Sequence, residues 1–127
     1  MAKALGIGGV FFKCRDAAAL AAWYAKWLDF PVDMQYLGAS FQPGTIPPGG
    51  FTVWGAFKSD TDYFSPARKE FMINVMVDDL DGALARVREG GAQVMEKIEE
   101  YDYGRFGWFV DPEGNKVELW QPKPAGG

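Results

Sequence analysis

The chemistry this chain could carry starts from one carboxylate in an unexpected place. Glu118 lies inside Lys116–Gln121, a segment that otherwise reads as a core strand. A carboxylate there either faces a cavity, as an acid/base or hydrogen-bonding group, or escapes to water beside a lysine such as Lys13 or Lys116. Just ahead of it stand Tyr101, Asp102, Tyr103 and Arg105. Tyr103 can donate a hydrogen bond or stack, and Arg105 can clamp a carboxylate or phosphate. Glu118, Tyr103 and Arg105 are therefore the candidate catalytic residues, with Glu118 moving a proton and the other two polarising a substrate. Histidine is absent from the chain, which removes the commonest general base at neutral pH and excludes Ser-His and Cys-His catalysis.

A second group of residues could bind a ligand. Trp54, Phe57, Trp108 and Trp120 could line an aromatic pocket for a planar or cationic molecule, the alternative for each being core packing. Phe11, Lys13, Met72 and Asn74 lie on strand faces that mix apolar and polar residues. Asn74, polar on a buried-type strand, needs a partner or a ligand. Asp60 and Asp62 lack the glycine and terminal glutamate of a calcium loop, so a plain connector is the default over Lys58–Arg68. Cys14 is expected to be an inert buried thiol.

The elements that must position these groups follow a repeated order. Gly9–Cys14 is rich in β-formers and reads as a strand. Asp16 can cap a helix whose apolar face is Leu20, Trp23, Tyr24, Trp27 and Leu28. Val32–Leu37 and Ala39–Gln42 are weaker strands. Pro43–Gly50, with three prolines and three glycines, is a loop. Phe51–Phe57 reads as a strand. The order then restarts. Phe71–Val77 is a strand, and Asp78 or Asp79 caps a helix with Leu80, Ala83, Leu84 and Val87 on its apolar face. Gly90 and Gly91 end that helix, and Gln93–Glu99 is a strand. Phe106–Val110 and Lys116–Gln121 pair across Asp111-Pro112-Glu113-Gly114-Asn115, a sequence with the proline and glycine of a tight turn.

An offset of 63 residues lays Val10 on Ile73, Leu20 on Ala83, Tyr24 on Val87 and Gly55 on Glu118. Side chains alternate faces along a strand. The uniformly apolar sets, Val10, Phe12 and Cys14 with Ile73, Val75 and Val77, should pack under the helices. The mixed sets should face a cleft, together with Lys116, Glu118 and Trp120.

Strand, aspartate and helix over Gly9–Leu28, their echo over Met72–Gly91, and the run from Asp111 to Leu119 together resemble the vicinal oxygen chelate superfamily. That superfamily includes glyoxalase I, extradiol dioxygenases, fosfomycin-resistance enzymes and bleomycin-resistance proteins. The resemblance implies an α+β fold: two βαβββ modules forming an eight-stranded curled sheet around a cleft. It implies one glyoxalase-like domain over residues 1–127, with modules near 5–64 and 70–122, and a homodimer. The metal-binding members place their ligands at positions that map to Gly9, Gly55, Met72 and Glu118. Three of these cannot hold a hard divalent ion, so no metal and no cofactor is expected.

Composition narrows the function further. Lys+Arg 13 against Asp+Glu 17 gives a net charge of −4 with no basic run, so nucleic acid is not an expected partner. No apolar run approaches the ~20 residues of a membrane span. The single cysteine and the lack of a signal-peptide core point to a cytoplasmic protein. The expected function is binding of a small organic molecule in a cleft, without the family metal. The alternatives are a lyase- or isomerase-like enzyme using Glu118, or a metal-dependent glyoxalase or dioxygenase activity.

Overall fold

The protein is described here by a computed structural model over residues 2–123. Helix α1 (Ala17–Leu28) begins where Asp16 accepts a hydrogen bond from the Ala19 amide at 3.0 Å. It ends at Asp29, a left-handed residue with φ 54°. Helix α2 (Leu80–Glu89) is capped by Asp79, which accepts from the Gly82 amide at 3.1 Å. These caps satisfy amides that the first helical turn leaves without partners. Leu80, Ala83, Leu84 and Val87 are the buried residues of α2, the face that the spacing predicts. Gly91, at φ 93°, turns the chain out of the helix.

Chain order then places short strands β1 (Val32–Asp33) and β2 (Gly38–Ala39), paired with each other as a small ribbon. The main sheet has five strands: β3 (Ile73–Met76), β4 (Gln93–Val94), β5 (Glu99–Tyr101), β6 (Gly104–Val110) and β7 (Lys116–Pro122). Its spatial order is β3-β7-β6-β4, with β5 also paired to β6. β3 runs parallel to β7, and α2 carries the chain from β3 at one edge to β4 at the other. β6 and β7 form the predicted hairpin, with Trp108 opposite Glu118 and Phe106 opposite Trp120. Gly114 at φ 84° makes the turn.

The two helices cover one side of this sheet. Phe109, Val117 and Leu119 point at them and are buried in one cluster with Leu20, Tyr24, Leu84 and Val87. Asp111 ties the turn to α1. Its carboxylate accepts from the Tyr24 hydroxyl at 2.8 Å, the Asn115 side chain at 3.0 Å, and the amides of Glu113 and Asn115 at 2.9 and 3.0 Å. Burial, then the charge of Asp111, pushes the Tyr24 phenol far above its ordinary range.

From Ile73 to Pro122 the order is the expected strand, helix and antiparallel strands, except that Gln93–Glu99 is not one strand but gives way to the short β4 and β5, and the chain has the expected mixed α+β content. The first module departs from expectation. Gly9–Cys14 and Phe51–Phe57 are not strands, and the eight-stranded curled sheet is replaced by the five-stranded sheet and the ribbon. The weaker strands of Val32–Leu37 and Ala39–Gln42 shrink to two residues each. The physical reason is pairing. Alternating apolar residues make a strand only when a neighbour takes up the backbone hydrogen bonds. Neither apolar segment is laddered to a described strand, and both are exposed, with Phe11 at 96% and Trp54 at 77% exposure. The outer edge of β3 is likewise free among the described residues. Cys14 is half-buried against the core instead of fully enclosed.

Candidate functional site

The side of the sheet away from the helices is polar and aromatic. Alternation along β7 sends Lys116, Glu118 and Trp120 to this face, and alternation along β6 sends Phe106 and Trp108 there. β3 contributes Asn74, directly beside Glu118 in register. β5 contributes Glu99 and Tyr101.

Glu118 is the centre of a hydrogen-bond network. Its Oε1 accepts from the Asn74 side-chain amide at 2.7 Å. Its Oε2 accepts from the Trp108 indole N–H at 2.9 Å and from the Tyr63 hydroxyl at 2.5 Å. All three donors are neutral. Burial, then the bond to Glu118, raises the Tyr63 phenol well above the usual tyrosine range.

Lys116 braces the same group from the side. Its ammonium donates to the Tyr63 carbonyl at 2.6 Å and lies 5.2 and 5.8 Å from the ring centres of Tyr63 and Trp108. Burial lowers its pKa, and the Glu118 charge works against that shift. Glu118 is thus held by neutral donors, with Lys116 acting at longer range.

Next to this network a cleft of about 230 Å³ is lined by Tyr63, Glu99, Tyr101, Tyr103, Phe106 and Glu118. Tyr101 and Tyr103 stack with ring centres 5.3 Å apart. Phe106 meets both edge-on at 5.8 and 5.7 Å and stacks on Trp120 at 5.9 Å. Trp120 donates its indole N–H to the Tyr103 carbonyl at 3.1 Å, which fixes the hairpin that carries Tyr103. The Tyr101 hydroxyl donates to Glu99 at 2.6 Å. Lys97, then Tyr101, holds the Glu99 carboxyl below its usual range.

Several sequence candidates fall elsewhere. Arg105 is on the helix side of β6, the opposite face from Phe106. It pairs there with both carboxylate oxygens of Asp81 at 3.2 Å, away from Glu118. Lys13 borders a separate shallow depression with Cys14, Arg15, Lys69 and Glu113. Phe11 and Trp54 are exposed and apart from the cleft lining. Phe57 reaches the site only through Tyr63, on which its ring lies at 5.5 Å. Met72 lies just before β3 and also outside the cleft lining.

The sequence reading missed Tyr63, Glu99 and Phe106. Glu99 and Tyr101, two apart on one strand, carried a usable signal. Tyr63 carried almost none, being an aromatic residue in a polar connector.

The residues around Glu118 do not fit the metal that the superfamily implies. Gly9 and Gly55 offer no side-chain ligand, and Asn74, Tyr63 and Trp108 turn N–H or O–H groups toward Glu118. Among the described residues no group of three or more His, Cys, Asp or Glu side chains converges on one point. No helix of the described residues is long and apolar enough to cross a membrane.

A family model described as a glyoxalase-like domain matches residues 9–120. The fold is similar to that of TnmS3, an antibiotic binding protein from Streptomyces sp. CB03234. The two share 25% identity over 87% of this chain and 89% of that one, with a TM-score of 0.51. TioX from Micromonospora sp. ML1 is similar at 16% identity over 85% and 91% of the two chains, with a TM-score of 0.50. A member of the glyoxalase/bleomycin resistance protein/dioxygenase superfamily from Sphaerobacter thermophilus DSM 20745 shares 30% identity. That alignment spans only 39% of this chain and 40% of that one, with a TM-score of 0.35. No curated protein matches the sequence significantly.

Proposed function

The chain belongs to the glyoxalase-like domain family, and on that premise we propose that it is a bleomycin-resistance-like protein that binds a small organic molecule beside Glu118. The binding needs no metal. The observation that carries this reading is the state of Glu118. Both its oxygens are engaged by protein donors, and an aromatic cleft opens next to it. A fixed acceptor on an aromatic wall suits recognition of a ligand. A general base must instead bring a lone pair within hydrogen-bond reach of a substrate proton. The antibiotic binding named for TnmS3 supports the same direction.

The lyase- or isomerase-like alternative has less support, because its polarising arginine is engaged with Asp81. Tyr103 is the candidate that still shares the cleft with Glu118. A turnover assay of Glu118→Gln separates the two readings. A binding protein loses affinity and has no turnover to lose.

The reading includes a single glyoxalase-like domain that works as a homodimer. The exposed apolar segments around Phe11 and Trp54 and the open edge of β3 support that arrangement, because a second copy could cover them. Sedimentation of the protein beside Phe11→Asp and Trp54→Asp variants tests it. A monomeric parent protein would refute the dimer.

The binding reading is tested by screening aromatic and heteroaromatic compounds for thermal shift and for a change in tryptophan fluorescence. Trp108 and Trp120 both flank the cleft, so a ligand there should change their emission. A broad panel with neither signal would overturn the reading.

A further inference from the structure

We infer that the cleft beside Glu118 selects an organic cation, an ammonium-bearing small molecule, over neutral compounds of the same shape. The inference rests on the small-molecule reading above and adds the chemical class of the ligand.

The lining carries the argument for a positive charge. Four of its six residues are aromatic, Tyr63, Tyr101, Tyr103 and Phe106, and the other two are the carboxylates Glu99 and Glu118. Two of the three phenols already donate their O–H in hydrogen bonds, Tyr63 to Glu118 and Tyr101 to Glu99. These two hydroxyls therefore turn only lone pairs toward the cleft, and of the three cleft phenols Tyr103 is the one whose hydroxyl has no hydrogen bond among the described residues. A wall of acceptors, carboxylates and ring faces is complementary to a positive charge. An anionic ligand would meet like charge and almost no donor.

The nearby lysines do not cancel this. Lys97 pairs with Glu99 at 2.8 Å, with its own side chain 74% exposed and outside the cleft lining. Lys116 is bonded to the Tyr63 carbonyl and lies over the Tyr63 and Trp108 rings. That contact is itself informative, because it places an ammonium against the ring wall of this same face.

The test compares choline with its uncharged isostere, 3,3-dimethylbutan-1-ol, on the full chain. Proton NMR follows the methyl resonances, which move upfield over an aromatic ring face. The expected result is that choline binds about tenfold tighter than the alcohol and weakens as salt is raised. Glu99→Gln and the pair Tyr101→Leu with Tyr103→Leu should remove most of that preference. Tyr101 and Tyr103 are exposed, so these variants should stay folded. Equal or tighter binding of the alcohol overturns the cation preference and leaves small-molecule binding standing. So does a failure of both probes while a neutral compound of the panel binds. If neither probe nor any panel compound binds, the cation preference and the binding reading fall together.

Discussion

The hydroxyl of Tyr63, from the connector between the two halves of the chain, donates to the carboxylate of Glu118 at 2.5 Å. Removing it should loosen both the site and the connector. Tyr63→Phe keeps the ring against Phe57 and Trp108 and deletes only the bond. A partly buried hydrogen bond to a charged acceptor contributes ~1 kcal/mol. Urea denaturation should show a loss of that size, and ligand affinity at the cleft should fall several-fold. An unchanged midpoint and affinity would mean that the contact is incidental.

Tyr63 should also titrate late. Burial and the bond to Glu118 raise its pKa above the ordinary tyrosine value of 10.0. The folded state therefore holds this proton more tightly than the unfolded chain does. Its contribution to stability is complete below pH 10 and is lost as pH rises through the folded value. Ultraviolet titration of phenolate should show fewer tyrosines ionising near pH 10 in the parent protein than after unfolding in urea, with Tyr63 contributing beside Tyr24 and Tyr101. Tyr63→Phe should remove this share of the difference.

Asp111 should be the most sensitive polar residue. It is 5% exposed and accepts four hydrogen bonds, one from α1 and three from the turn. Asp111→Ala leaves several buried donors without acceptors and should cost ~3 kcal/mol or more. Tyr24→Phe, which removes one of those donors, should cost ~1–2 kcal/mol. Denaturation curves for the two variants should rank in that order.

Acid should release the start of α1 from the turn. Glu113 accepts from the amides of Arg15 and Asp16 at 3.0 and 2.8 Å, and these bonds lower its pKa from 4.5. A depressed carboxylate contributes stability above its unfolded value, and the contribution is lost as pH falls through the lower folded value. Stability should therefore decline more steeply below about pH 4.5 in the parent protein than in Glu113→Gln. Parallel curves would show that the contact does not count.

Some of this was legible in the residues alone. The caps Asp16 and Asp79, the buried stripe of α2 and the hairpin across Asp111–Asn115 all rest on local rules. So does the orientation of Lys116, Glu118 and Trp120 toward one face, because strand alternation is strict. The same rule puts Arg105 on the opposite face from Phe106 and Trp108. Its charge drew the inference, while its position on β6 decided the outcome by facing Asp81. The segments of Phe11, Trp54 and Phe57 depart from the expected strands for a different reason. Their alternation signals a strand, and a strand needs a partner that no local pattern supplies.

The sequence by itself determined the helices, the turn, the family and the lack of a side-chain ligand at Gly9 and Gly55, because each follows from residue types at short or fixed spacing. Only the tertiary structure decided what Glu118 touches. Asn74 and Tyr63 are 44 and 55 residues away along the chain. Contacts over such separations depend on which strands pair and where a connector crosses the sheet, and neither is written in the residues that meet.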